Sequence, residues 1–187
     1  PTYLPYLCQY ADSADLADCA EAIYTADDED DRVPPDTAYR YGGGAWHLAG
    51  GIAQAVSGET WEQLVQEIYG DPCGLEATGY RNHYTQAFSE GGVDGAFSYP
   101  DFFDGDLGDL EQTDNPNIEG GAYTTAQDYG KILEIQLTGG RCGDVQVLTS
   151  EGVARMQLDR IGPAYDGTSY LPGFEGYGLG WFVDREH

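Results

Sequence analysis

Basic residues are scarce in this chain of 187 residues, which carries 33 aspartates and glutamates against eight lysines and arginines. The formal net charge of −25 disfavours nucleic acids and anionic membranes as partners, because like charges repel. No apolar run reaches the roughly 18 residues of a membrane-spanning helix. We therefore expect no membrane span and interpret the charge as a solvated acidic surface, with calcium binding by the acidic runs as the alternative.

Common catalytic patterns are missing as well. No serine lies in Gly-x-Ser-x-Gly or three residues before a lysine, since Asp128 stands three residues before Lys131, the single lysine. His47, His83 and His187 are far apart in the sequence, and no zinc-binding or P-loop spacing is present. The sequence therefore predicts no metal and no cofactor, and by itself it shows no complete active site of a standard kind.

The four cysteines form no Cys-x-x-Cys pair. An even count in an acidic, tyrosine-rich chain indicates disulfides and an oxidising compartment. Of the possible pairings, the closeness of Cys8 and Cys19 in the sequence favours Cys8–Cys19 together with Cys73–Cys142. Two pairs of buried free thiols are the alternative.

Helix signals recur along the chain as apolar periodicity combined with capping residues. They predict helices capped at Asp12-Ser13, over 45–56, at Thr60 with Gln63 as a capping box, at Thr125 with Asp128 three residues on, and at Thr149. Asp71-Pro72 is expected to end the helix that begins after Thr60. One continuous strand is predicted over 177–183, because that run is aromatic and β-branched, and 145–148 is expected to be a short strand or an extended lead-in.

These signals predict a single partial domain with three parts. An irregular lead-in with a tyrosine motif covers 1–44, a helical region with long loops covers 45–175, and a sheet strand covers 176–187. Within the acidic excursion at 80–118, a set of aspartates resembles a calcium loop only loosely: Asp101, Asp104, Asp106 and Asp109. The order of elements indicates a helix-rich domain attached to a sheet that lies mostly outside this chain.

One short segment has an unusual composition, a tyrosine on a glycine-rich turn just before a predicted helix. In Tyr41-Gly42-Gly43-Gly44, the glycines let the backbone approach a ligand closely. A tyrosine held near cationic groups has its phenolate favoured and can act as a base. The alternative is a tyrosine that simply packs on the turn.

Several segments, taken in order from about residue 33 to the end, resemble the serine β-lactamase-like hydrolases, which include class C β-lactamases, D-alanyl-D-alanine carboxypeptidases and related esterases. The matching segments are 35–43 (P-G-T-x-F-x-Y-S-N), 48–58 (a helix ending in V-S-G), 61–80 (P-L-G-M-x-x-T-x-F), 120–129 (G-G-x-x-S-T-A-x-D-L) and 177–181 (Y-G-L-G-W). Each match is weak alone, whereas the ordered set is specific.

The resemblance implies a β-lactamase/transpeptidase-like α/β (α+β) fold, of which this chain would be mainly the helical domain and part of the approach to the antiparallel sheet. It implies a serine in S-x-x-K that forms an acyl-enzyme with an ester, amide or β-lactam carbonyl. The tyrosine of the Y-x-N motif, which shares the proton transfer, carries over to Tyr41. The third motif position is Gly43, which cannot donate a side-chain amide to the substrate and so favours an esterase-like or unassigned hydrolase.

The remaining motifs of the family are expected outside this chain, S-x-x-K upstream of Pro1 and H-x-G or K-T-G downstream of Trp181. The chain would then be the central part of a secreted or periplasmic enzyme that acts on a small-molecule or peptide-like substrate. Two other hypotheses stay open: a catalytically inactive family member that serves as a binding or scaffold protein, and an acidic calcium-binding extracellular module.

Overall fold

A computed structural model gives the fold and describes residues 7–26, 34, 39, 41–82, 111–161 and 176–183. Two compact units are present: the first comprises 1–27 with 42–129, and the second comprises 28–41 with 130–187. The aspartates of the loosely calcium-like segment at 101–109 lie outside the described residues. None of the described helices has the length and apolar character needed to cross a membrane.

The elements are mostly short helices and two-residue antiparallel strand pairs. The described helical elements are a 3₁₀ turn at Cys8–Tyr10, α1 (Leu16–Tyr24), α2 (Gly44–Ser57), α3 (Trp61–Val65), a π turn at Gln66–Gly70, α4 (Asp71–Cys73), α5 (Ala126–Leu137) and α6 (Ser150–Gln157). The strand pairs are β1 (Gly79–Tyr80) with β2 (Ala122–Tyr123), β3 (Arg141–Cys142) with β4 (Val145–Gln146), and β5 (Gly176–Tyr177) with β6 (Phe182–Val183). This mixture is that of an α+β fold.

Local capping chemistry accounts for several helix boundaries. The helix predicted over 45–56 is α2, which ends at Gly58 in the left-handed conformation with φ 78°. Thr60 and Gln63 form the predicted capping box, in which the Gln63 N–H donates to Thr60 Oγ1 at 3.2 Å and the Thr60 N–H donates to Gln63 Oε1 at 2.8 Å. Thr149 caps α6 by accepting from the Gly152 N–H at 3.0 Å.

The predicted cap of α1 was wrong. Asp15, rather than Asp12-Ser13, caps the helix, because its Oδ1 accepts from the N–H groups of Ala17 at 2.8 Å and Asp18 at 3.1 Å. The residues just before Asp15 form a turn in which the Ala14 N–H donates to the Ala11 carbonyl at 3.1 Å. The helix therefore begins at Leu16, two residues later than the sequence predicts.

Asp71-Pro72 does not end the helical run, contrary to the prediction. The π turn is followed by α4, which has Pro72 in its first turn. The N–H groups of a first turn have no acceptor within the helix, so a proline is tolerated there. The run ends instead at Gly74, which has φ 57°. The single strand predicted over 177–183 was also wrong, since a tight turn divides that segment between β5 and β6.

The core of the first unit lies between α1 and α2. Leu16, Cys19 and Ala20 are buried on α1, and Gly51 is buried on the facing side of α2. A Cβ at Gly51 would stand 2.5 Å from the Ala20 Cβ, so the two helices approach as closely as they do because position 51 has no side chain.

A disulfide fastens the start of α1 to the preceding turn. The predicted Cys8–Cys19 bond is present, with a Cα–Cα distance of 5.6 Å, and both residues are buried. Cys73 and Cys142 are disulfide-bonded as well, and no cysteine is free, so the free-thiol alternative was wrong. The pairing of Cys73 with Cys142 stays a prediction.

Asp128 at the start of α5 holds the loop before β1. As predicted, Thr125 caps this helix, accepting from the Asp128 N–H at 3.2 Å. The Asp128 carboxylate, 1% exposed, does not reach back to the cap but accepts from the N–H groups of Glu76 at 2.9 Å and Ala77 at 2.8 Å. This buried carboxylate thus accepts hydrogen bonds from two partly buried backbone donors of the loop.

Gly51→Ala is expected to lower the free energy of unfolding by about 1–3 kcal/mol, because the added methyl overpacks the contact with Ala20. The matched control is Gly130→Ala in α5, where a Cβ meets nothing within 4 Å. That change should raise the free energy of unfolding by about 0.5–1 kcal/mol through helix propensity. Urea denaturation of both variants tests the difference, and equal effects would contradict it.

Asp128→Ala is expected to lower the free energy of unfolding by about 2–3 kcal/mol, because two partly buried backbone donors lose a charged acceptor. Asp128→Asn should cost less, since an amide oxygen still accepts. The control is Asp144→Ala, whose exposed carboxylate lies 3.9 Å from Arg141 Nη2 and should contribute nothing measurable. Thermal denaturation distinguishes these outcomes, and a silent Asp128→Ala would refute the assigned role.

Candidate functional site

The second unit brings Tyr41 against the strand pair at the end of the chain. The Tyr41 ring lies 6.2 Å from the Tyr177 ring, centroid to centroid, in an edge-to-face arrangement at 73°. Tyr39 and Phe182 flank the same Tyr177 ring, with centroid distances of 5.7 and 5.1 Å. We call these four residues the aromatic cluster. It joins two segments that the sequence analysis singled out separately, the tyrosine motif and the Tyr-Gly-Leu-Gly-Trp run.

The backbone around Tyr177 is fixed by the end of α6. The Tyr177 N–H donates to Asp159 Oδ1 at 3.2 Å, and the Tyr177 carbonyl accepts from the Arg160 N–H at 2.8 Å. The Leu179 N–H donates to the Met156 carbonyl at 2.8 Å. A Cβ at Gly178 would collide with the same Met156 carbonyl, which explains why this position is a glycine.

Tyr41 has the solvent access that a base requires. Its side chain is 56% exposed. In the first unit, burial raises the pKa of both Tyr69 and Tyr80, so neither forms a phenolate readily. The structure therefore offers Tyr41 as an accessible phenol on a fixed aromatic support.

Gly43 lies in the first unit as the residue that precedes α2. A Cβ at this position would overlap the Glu119 carboxylate, whose Cδ lies 2.5 Å away, and would approach Gln9 Nε2 at 3.0 Å. A Cβ at the preceding Gly42 would meet nothing within 4 Å. The space that a side chain at the third motif position would need is thus already occupied by polar groups from two distant segments.

A buried amide network holds the turn that carries Gln9. Asn82 and Asn117 both donate through Nδ2 to the Gln9 carbonyl, at 3.0 and 3.1 Å. Asn115 Nδ2 donates to the carbonyls of Cys8 and Ala11, both at 2.8 Å. All three asparagines are 0% exposed. Sequence analysis missed this network, because asparagines in a segment rich in Asp, Pro and Gly indicate only a turn.

His47 on α2 completes the network. Its Nε2 lies 2.8 Å from Asn115 Oδ1, and because Nδ2 of that amide donates to two carbonyls, Oδ1 must accept the imidazole proton. The opposite nitrogen, Nδ1, is buried without a partner among the described residues. Desolvation by burial lowers the pKa of His47 despite the opposing effect of the Asn115 hydrogen bond.

Two serines in the described ranges donate hydrogen bonds to backbone carbonyls. Ser57 Oγ donates to the Ala53 carbonyl at 2.8 Å, and Ser150 Oγ donates to the Gly139 carbonyl at 2.9 Å. In the part of the chain that the structure describes, no group of three acidic, histidine or cysteine side chains is placed to hold a metal ion. A groove of about 460 Å³ between α5 and β6 is lined by leucines, glutamines and residues 181–183 and includes no acid, base or hydroxyl.

The profile of the beta-lactamase family matches residues 4–187, so the chain belongs to that family. The family expectation from the sequence and the α+β fold are confirmed. No curated protein sequence matches the chain.

Two solved structures are similar. The crystal structure of a "putative beta-lactamase" from Bacteroides dorei is 26% identical, with a TM-score of 0.62, and covers 90% of this chain and 45% of that one. The octameric penicillin-binding protein homologue from Pyrococcus abyssi is 20% identical, with a TM-score of 0.55, and covers 86% of this chain and 34% of that one. The second likeness shows the fold alone. The chain spans less than half the length of either structure.

The free energy of unfolding should fall as the pH drops below the ordinary histidine pKa of 6.5. Because the pKa of folded His47 is lowered, the unfolded imidazole takes up a proton that the folded one refuses. The contribution of His47 to the free energy of unfolding is therefore complete above pH 6.5. Below that pH it declines by at most about 1.4 kcal/mol per pH unit.

Urea denaturation at about pH 7.5 and about pH 5.5 measures this decline. His47→Gln is the reference, since its amide can still donate to Asn115 but does not titrate. The carboxylates contribute equally to both proteins, so the difference in slope isolates His47. The same pH dependence in both proteins would show that His47 has no part in it.

Proposed function

We propose that this chain is part of a serine hydrolase that forms an acyl-enzyme with an ester, amide or β-lactam carbonyl. The observation that carries the proposal is the contact between Tyr41 and Tyr177, because it unites the Tyr-x-Asn-like motif and the Tyr-Gly-Leu-Gly-Trp run in one unit. Membership of the beta-lactamase family supports the same chemistry. The nucleophile of this proposal is the serine of an S-x-x-K motif outside residues 1–187.

Tyr41 would share the transfer of the serine proton. A serine hydroxyl is a weak nucleophile at neutral pH and needs a partner that removes its proton as the new bond forms. A lysine ammonium beside the phenol favours the phenolate and thereby makes tyrosine an effective base. The fixed ring of Tyr177 limits the orientations of the Tyr41 ring, which lowers the entropy lost on reaching the reactive geometry.

The compartment that fits is an oxidising one, secreted or periplasmic. All four cysteines are in disulfides, and such bonds persist where thiols are not kept reduced. The proposed substrate is a small molecule or a peptide-like compound. An inactive family member that only binds ligands is the second candidate, because Gly43 departs from the motif.

The full-length protein is expected to form a covalent adduct with a fluorophosphonate probe, and residues 1–187 alone are not. Tyr41→Phe in the full-length protein should then slow acylation by roughly 10²–10⁴, the usual contribution of a general base. The control is Tyr39→Phe, which keeps a ring against Tyr177 but changes a hydroxyl outside the motif position.

Intact mass spectrometry and stopped-flow ester hydrolysis supply the measurements. A stoichiometric adduct on a serine within residues 1–187 would refute an external nucleophile. Equal acylation rates for the wild-type protein and Tyr41→Phe would leave Tyr41 with a packing role only. A full-length protein with no S-x-x-K and no adduct would establish the inactive family member instead.

A further inference from the structure

Position 43 differs from the family motif in charge as well as in size. Where the motif has an asparagine amide, this chain has a glycine whose side-chain space is occupied by the Glu119 carboxylate. Glu119 is exposed, so its carboxylate is accessible from solvent. A neutral donor is thereby exchanged for an anionic acceptor at a position two residues after Tyr41.

A second and independent observation concerns Gln9, whose side chain borders the same space at Gly43. The Gln9 side chain is 6% exposed, and its Nε2 lies 3.0 Å from the place of a Cβ at Gly43. Its Oε1 is buried and has no hydrogen-bond partner among the described residues. A buried acceptor without a donor is costly, so a ligand that brings a donor to the carboxamide beside Gly43 would be stabilised there.

Several contacts fix the backbone position of Gln9. The amides of Asn82 and Asn117 fix its carbonyl, and the disulfide of the adjacent Cys8 anchors the turn. These contacts fix the backbone from which the Gln9 side chain extends toward the Glu119 carboxylate. The oxygen of the Gln9 carboxamide and the Glu119 carboxylate both accept hydrogen bonds, and the carboxylate is charged.

We propose that Glu119 and Gln9 form a cation-binding subsite beside Gly43 that selects acyl substrates carrying an ammonium group. The inference rests on the proposed hydrolase function and names the substrate class for that site. The net charge of −25 acts in the same direction, since it attracts cations and repels anionic substrates over a distance set by the ionic strength. The Glu119 carboxylate beside Gly43 adds a local negative charge to this general attraction.

A structural role for Glu119 makes a different prediction. Its carboxylate stands at the amino end of α2, where Gly43 provides no side-chain cap and the helix dipole favours an anion. If capping were its only role, removing the charge would lower the melting temperature and leave substrate preference unchanged. Selectivity between a charged substrate and a neutral one of the same shape therefore separates the two roles.

The test uses the full-length protein and two p-nitrophenyl esters, 6-aminohexanoate, whose primary ammonium donates hydrogen bonds, and the isosteric heptanoate. The leaving group is the same, and the acyl groups differ in charge but hardly in shape. The wild-type protein should prefer the cationic ester in kcat/KM, and Glu119→Gln should reduce that preference about three- to tenfold. Gln9→Met, similar in length but without an amide, should reduce it to a smaller degree.

Glu76→Gln is the matched control, because Glu76 is also an exposed glutamate of the first unit, and this change alters the net charge by the same amount. Its preference should equal that of the wild-type protein. An unchanged preference in Glu119→Gln, equal losses in both glutamate variants, or no preference in the wild-type protein would each overturn the subsite. The rate of fluorophosphonate labelling shows that each variant keeps its active site, and a wild-type protein that is not labelled would refute the hydrolase function itself.

Discussion

Three buried asparagine side chains hold the turn at Cys8–Tyr10, and the first unit depends on them. A turn exposes carbonyls that no helix or strand satisfies, and burying such groups without partners is costly. Asn82, Asn115 and Asn117 satisfy the carbonyls of Cys8, Gln9 and Ala11 from loops that are distant in the sequence. Because each amide also needs its own partners, removing one would leave several buried groups unpaired rather than one.

The network explains why polar residues stand where a core would normally be apolar. Apolar side chains could fill the same volume, but they could not accept the His47 proton or satisfy the carbonyls of the turn. The Cys8–Cys19 disulfide limits the conformations of the same segment in the unfolded chain and so lowers the entropy lost on folding. Hydrogen bonding and the covalent bond thus fix one turn, and that turn determines where the Gln9 side chain can lie.

Local signals predicted the helices well, because a cap and a periodic apolar face are encoded within a few residues. This holds for α2, for the Thr60–Gln63 box and for the Thr149 cap. Two details failed for different reasons, one through a distant contact and one through a local turn. The Asp128 carboxylate binds the loop at 76–78 rather than its own helix cap, and the turn before α1 leaves the capping role to Asp15.

The sequence likewise predicted only part of the candidate site. Tyr41 was predicted from its motif, since a tyrosine followed by glycines ahead of a helix is a local pattern. The contact with Tyr177 joins residues more than one hundred positions apart, and only the resemblance to a family suggested that the two segments belong together. The network of Asn82, Asn115 and Asn117 had no local signal, because the same residue types are common in solvent-exposed turns.

Gly43 shows how a residue without a side chain can still determine the chemistry at its position. A glycine leaves a space, and what occupies that space depends on the chain segments that converge there. In this fold those segments are the disulfide-anchored turn with Gln9 and the loop with Glu119, so the space receives an amide and a carboxylate. A substitution at 43 that restored an asparagine would therefore have to displace Glu119, and it would change the local charge together with the shape. Charge and shape at this position are coupled through the packing, which is why the selectivity of the site cannot be inferred from the motif residue alone.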